Sequence, residues 1–122
     1  MFKKSKLLAV LTTLFIMGNA QANEIEIKAS DALNYLGKTA KVCGSLAAIK
    51  DFKSGIYLSI DKPYPNESIT FVVWDDNINK ITKEWGSFRG LRGKTVCAEG
   101  KVETYKNKAR ISINSGYDFY VK

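Results

Sequence analysis

Two stretches of this chain share one pattern, and no other feature of the sequence narrows the fold as far. Gly37 to Lys50 reads GKTAKVCGSLAAIK, and Gly93 to Lys106 reads GKTVCAEGKVETYK. Each opens on Gly-Lys-Thr, meets a second glycine seven residues later (Gly44, Gly100) and a lysine thirteen residues later. The spacing predicts two long strands built alike. Each is bent at its inner glycine, where a missing side chain lets a strand bulge or curl.

The first of these, Lys38 to about Lys50, sets Ala40, Val42, Leu46 and Ala48 on one face. Thr39, Lys41, Cys43 and Ser45 lie on the other, the period of a half-buried strand. Before it, Glu24 to Lys28 alternates as a short edge strand. Ser30 is placed to cap a short helix with Leu33, Tyr35 and Leu36 as its apolar contacts and Gly37 as its end. After it come a polar turn (Asp51–Gly55) and a second strand (Ile56–Asp61). The proline-bearing loop KPYPNES leads to a third strand, Ile69–Trp74, apolar enough to be covered on both faces. Alternation separates Phe71 and Val73 from Val72 and Trp74 and leaves open which pair faces inward; a core role is expected for both Phe71 and Trp74.

Asp75 and Asp76 are expected to cap a helix over about Asn77–Trp85, with Ile78, Ile81 and Trp85 on its apolar side. Oxygen-bearing side chains in Asp75–Asn79 resemble the start of a calcium loop, but Lys80 stands where that loop needs glycine, so capping is the better reading. GSFRGLRG reads as loop. The fourth strand spans Lys94 to about Tyr105, with Val96, Ala98 and Val102 on one face. Lys106–Lys108 is a tight turn, Ala109–Asn114 a fifth strand, and Tyr117–Lys122 a short edge. The result is an all-β, five-stranded Greek-key barrel, the OB-fold, with one capping helix between the third and fourth strands. A small β-sandwich is the rival, and it leaves the helix unexplained.

Residues 1–22 read as a signal peptide. Lys3, Lys4 and Lys6 precede an apolar run from Leu7 to Met17, and Ala20-Gln21-Ala22 is a cleavage sequence. The expected product is one domain, residues 23–122, periplasmic or secreted and without membrane insertion. Cleavage leaves 16 basic and 12 acidic residues, a net +4 against +7 for the whole chain. The excess is uneven: Lys80–Arg110 holds nine basic and three acidic residues. Such a field suits a polyanion partner and also simple solubility. The only two cysteines, Cys43 and Cys97, lie in the two look-alike strands with side chains on the same face, and export favours their oxidation. A disulfide is expected, and neither a metal nor a cofactor. With no histidine, no nucleophile elbow and no phosphate loop, the chain is not expected to be an enzyme.

YLGKTAKVCGSLAAIK, DKPYPNESITFVVWD and GKTVCAEGKVETYKNKARISI together resemble small exported bacterial OB-fold proteins, and OB-fold modules attached to secreted nucleases. The resemblance implies the OB-fold and a nucleic-acid-binding role. OB-folds bind single strands across the second and third strands, flanked by the loops joining strands one to two and four to five. Bases stack on aromatic rings while cations follow the phosphates. At those positions stand Phe52, Lys53, Tyr57, Lys62, Tyr64, Tyr105, Lys106, Lys108 and Arg110. The expected function is a weak, non-sequence-specific module for single-stranded DNA or RNA. Two alternatives stand beside it: a cell-envelope protein-interaction or assembly module working through its sheet edge and the KPYPNES loop, and a small-ligand or oligosaccharide binder.

Overall fold

The two look-alike segments lie side by side. In the computed structural model, which describes residues 25–122, β2 (Thr39–Phe52) pairs antiparallel with β5 (Thr95–Lys101), Thr39 opposite Lys101 and Ser45 opposite Thr95. Cys43 and Cys97 are direct partners in this register and form a disulfide with a Cα–Cα distance of 4.1 Å. The signal-peptide reading of residues 1–22 lies outside the described residues, as does Glu24. No helix among the described residues is long and apolar enough to cross a membrane.

β2 is long enough to serve two neighbours. Its second half pairs antiparallel with β3 (Gly55–Ile60), which pairs antiparallel with β4 (Ile69–Trp74). β4 runs parallel to β7 (Lys108–Ile113), and β7 forms a hairpin with β6 (Glu103–Tyr105). The sheet order is β6-β7-β4-β3-β2-β5, extended by β8 (Phe119–Val121). Only Val102 separates β5 from β6, so the two ends of the sheet are one chain and the wall curls round on itself. The expected fourth strand is thus two strands. At the junction Val102 is held by the residues just ahead of β2: its N–H donates to the Lys38 carbonyl, its C=O accepts from the Gly37 N–H, and its side chain is buried.

Two short strands complete the count of eight. β1 (Ile25–Lys28) runs parallel to β2, and β8 lies antiparallel to β5. The ends of the described chain meet across this edge. Glu26 and Lys122 form an exposed ion pair, whose hydrogen bond holds the Glu26 carboxyl below, and the Lys122 ammonium above, their usual ranges.

The core fills the cylinder with the inward residues of β2, β3, β4, β5 and β7: Val42 and Leu46, Leu58 and Ile60, Ile69, Phe71 and Val73, Val96 and Ala98, Ile111 and Ile113. Helix α1 (Asp75–Trp85) closes one end with Ile81 buried and Ile78 and Trp85 packed against the core, as its spacing predicts. Its expected caps are corrected. Trp74 occupies the N-cap position with no side-chain hydrogen bond. Asp75 and Asp76 fall in the first turn, where they complement the helix dipole instead.

Ser30 likewise caps nothing. The segment Ala29–Tyr35 is a 3-10 helix entered through Lys28, and it buries Ala29 and Ala32 while Leu33 and Leu36 stay exposed. The expected loop after α1 contains another 3-10 turn, Phe88–Leu91, with Phe88 and Leu91 buried. Its start is capped by Ser87, whose hydroxyl accepts from the Gly90 N–H.

Gly44 carries a requirement of its own. The register shift in β2 falls between Leu46 and Ala48, not at the glycine. Gly44 instead marks where β2 passes over the end of β3: a Cβ there would lie 2.4 Å from Ile60 Cγ2 and 2.9 Å from Ala29 Cβ. Gly44→Ala is therefore expected to destabilise the domain by about 1–3 kcal/mol, the usual cost of overpacking. A thermal melt by circular dichroism should show a drop of several degrees. An unchanged midpoint would contradict the packing described.

Candidate functional site

The outer surface of β2-β3-β4-β7-β6 carries a continuous strip of rings and cations. Register places its members. Phe52, Gly55 and Trp74 form one row across the strands, and Lys50, Tyr57, Val72 and Ser112 the next. Ala48, Ser59, Thr70, Arg110 and Glu103 form a third, with Tyr105 opposite Lys108 beyond. Gly55 lets the chains close up at one end: a Cβ there would lie 2.2 Å from the Val73 carbonyl oxygen.

The rings contact one another in order. Trp74 meets Phe52 edge-on at 5.7 Å, and Phe52 stacks on Tyr57 at 4.2 Å with 14° between planes. Arg110 stands between Tyr57 and Tyr105, its Cζ 5.6 Å and 4.0 Å from the two ring centroids. Lys106 lies over the far side of the hairpin tip, its Nζ 5.3 Å from the Tyr105 ring. Residues from three hairpins thus form one row, held by stacking and cation–π attraction. Phe52 and Tyr57 are half-buried at its base, while Tyr105 is 50% and Trp74 37% exposed.

The KPYPNES loop flanks this row and is tied down at its root. The Asp61 N–H donates to the Ser45 carbonyl, while the Asp61 carboxylate accepts from the Ser45 N–H and from the Ser68 hydroxyl. The loop includes a cis Tyr64–Pro65 bond and holds Tyr64 75% exposed. Lys108 clamps it from β7: its ammonium donates to the Pro65 carbonyl, pairs with Glu67 Oε1 at 3.5 Å and lies 5.9 Å from the Tyr64 ring. Glu67 is nearly buried beneath it and accepts from the Thr70 hydroxyl on its other oxygen.

The structure brings together Phe52, Tyr57, Tyr105, Lys106 and Arg110, with Tyr64 and Lys108 alongside. Lys53 is exposed in the two-residue turn of the β2–β3 hairpin, and Lys62 is exposed at the loop's start, each beside the strip without joining its ring contacts. Lys108 is committed to the loop, so it organises the surface rather than offering a free charge. Two members escape the sequence reading. Trp74 was expected in the core, but Phe71 faces Leu58 and Ile111 inside the barrel, which turns Trp74 outward by alternation. Lys50 escapes because the register of β2 shifts between Leu46 and Ala48: even-numbered residues were expected on the core face, but past the shift Ala48 and Lys50 face outward, opposite Ser59 and Tyr57, and Ile49 packs on the core instead.

No protein-family model matches the sequence, and no curated protein matches it. Solved structures do match the fold. A chain described as an aspartyl-tRNA synthetase from Leishmania major Friedlin superposes with a TM-score of 0.57 over 89% of this chain and 22% of its own, at 7% identity. An OBody, AM3L15, bound to hen egg-white lysozyme gives 0.54 over 78% of this chain and 91% of its own, at 14% identity. Asparaginyl-tRNA synthetase from Pyrococcus horikoshii gives 0.51 over 78% of this chain and 22% of its own, also at 14%. The domain is an OB-fold. At these identities the likeness concerns architecture, and this chain spans 22% of the length of each synthetase.

Proposed function

We propose that this protein is an exported, non-catalytic OB-fold module that holds single-stranded nucleic acid weakly and without strong sequence preference. The observation that carries the reading is the unbroken row from Trp74 through Phe52, Tyr57 and Arg110 to Tyr105 on the outer face of the barrel. Rings give every base a stacking surface, and Lys50, Lys53, Lys62, Lys106 and Arg110 stand where a phosphate chain crossing them would run. The fold is shared with two enzymes named for tRNA, which supports a nucleic-acid reading, and with an OBody bound to a protein. Export rests on the N-terminal sequence and agrees with the disulfide, which oxidising compartments favour.

Binding of this kind depends on counterion release. If three or four phosphates are neutralised, the slope of log K against log salt is roughly −2 to −3 for a single strand. A fluorescently labelled oligothymidine titrated with residues 23–122 should therefore bind at low salt and weaken about a hundredfold or more per tenfold rise in salt. Absence of binding at low salt, or affinity indifferent to salt, overturns the reading.

A further inference from the structure

Beside the last residues of β2 the barrel wall has no strand among the described residues. Leu46 is the final residue whose outer side is filled: its N–H donates to the Lys94 carbonyl and its C=O accepts from the Gly93 N–H. Beyond it, the side of β2 turned away from β3 has no backbone partner among the described residues. The hairpin fixes which groups point there. Bonded and non-bonded pairs alternate in an antiparallel ladder, and the pair flanking a two-residue turn is a bonded one. Phe52–Gly55, Lys50–Tyr57 and Ala48–Ser59 are then the bonded pairs, so Ile49 and Asp51 turn their N–H and C=O groups outward. Alternating main-chain donors and acceptors on an open edge are matched by another extended polypeptide.

The side chains of the same two residues line a groove. Ile49, Ile56, Ile78 and Phe88 supply its apolar wall, and Asp51 and Arg89 stand at its rim, around a volume of about 190 Å³. That is below the roughly 300–1,000 Å³ of sites for drug-sized ligands and fits one aliphatic side chain. Charge selects the rest. Arg89, and Arg92 and Lys94 on the loop that ends beside Leu46, are exposed and form no ion pair among the described residues, against the single carboxylate of Asp51.

We propose that this edge and groove take an extended acidic peptide segment. The segment adds a short strand to β2 at Ile49 and Asp51, seats an aliphatic side chain against Ile49, Ile78 and Phe88, and sets a carboxylate against Arg89. Ile49 and Asp51 alternate along β2 with Lys50 and Phe52 of the ring-bearing strip and set their side chains on the opposite face, so peptide binding is read in the absence of oligonucleotide.

The test uses capped peptides of alternating glutamate and valine, the lysine–valine counterpart, and the acidic peptide with N-methylated central amides. They are titrated into residues 23–122 with backbone amides followed by NMR. The acidic peptide should move the amides of Ile49 and Asp51 and bind roughly tenfold tighter than the lysine peptide, because like charges are penalised at the rim. N-methylation should abolish binding by removing the strand donors. Arg89→Glu, a change at an exposed position, should remove most of the preference for the acidic peptide, because it leaves Arg92 and Lys94 against two carboxylates. Equal binding of both charges, full binding by the methylated peptide, or no shift at millimolar peptide overturns the proposal.

Discussion

Replacing Tyr105 with alanine is expected to weaken oligonucleotide binding by roughly 5- to 150-fold, the equivalent of about 1–3 kcal/mol for one stacked base. Tyr105 is half exposed at the tip of the β6–β7 hairpin, so its ring contributes little to the core and much to the outer surface. It also faces Arg110 at 4.0 Å. Losing the ring therefore removes a base platform and frees the guanidinium that the ring holds in place. Tyr57→Ala should act in the same direction, with a greater cost to stability, because Tyr57 is half-buried and stacked on Phe52. The control is Tyr117→Ala. Tyr117 is 78% exposed, but it lies under Lys80 of the helix and takes no part in the strip. Fluorescence titration at fixed low salt separates the outcomes. Loss of affinity in the Tyr57 and Tyr105 variants with none in the Tyr117 variant is expected; unchanged affinity in the first two would remove stacking from the account.

Breaking the Cys43–Cys97 bridge is expected to cost about 4 kcal/mol by the chain-entropy relation for a loop of this length. The cysteines are 54 residues apart and directly opposed between the two strands that carry the repeated pattern. A domain of about a hundred residues has roughly 5–15 kcal/mol in total, so the bridge represents a large part of its margin. The double variant Cys43→Ala/Cys97→Ala, or the parent under reductant, should show a thermal midpoint lower by about 15–30 °C. The denaturant slope should change as well, because the unbridged unfolded chain exposes more surface. Coincident unfolding curves with and without reductant would show that the barrel does not depend on the staple.

The barrel was legible because its cues are local. Period-two alternation in Lys38–Leu46 and Lys94–Tyr105, turn residues at Lys106–Asn107 and the helical spacing of Ile78, Ile81 and Trp85 all describe short stretches of chain; past Leu46 a register shift inverts the faces of β2, and Ala48, expected inside, lies outside. Lys106 and Asn107 do adopt the positive φ values of a tight hairpin turn. Cues that depend on the neighbouring strand were not legible. Alternation divides β4 into two sets, but only the presence of Leu58 and Ile111 on either side decides that Phe71 is inside and Trp74 outside. Capping failed for a related reason: the chain enters both helical segments extended, through Lys28 and Trp74, so the cap position falls before Ser30 and Asp75. Phe88 and Leu91, three apart between glycines, look like loop residues until the space beneath them is known to be the barrel end. Lys108 looks like a free hairpin cation until the KPYPNES loop folds over it.

The most direct test of the nucleic-acid strip is an NMR titration of residues 23–122 with a short single-stranded oligonucleotide at low salt. The largest shifts are expected at residues 50–57, at the Trp74 indole and along residues 103–112, with little change in β1, β8 and the C-terminal half of the helix. Shifts concentrated on those remote elements, or none at saturating oligonucleotide, would contradict the assignment of this face.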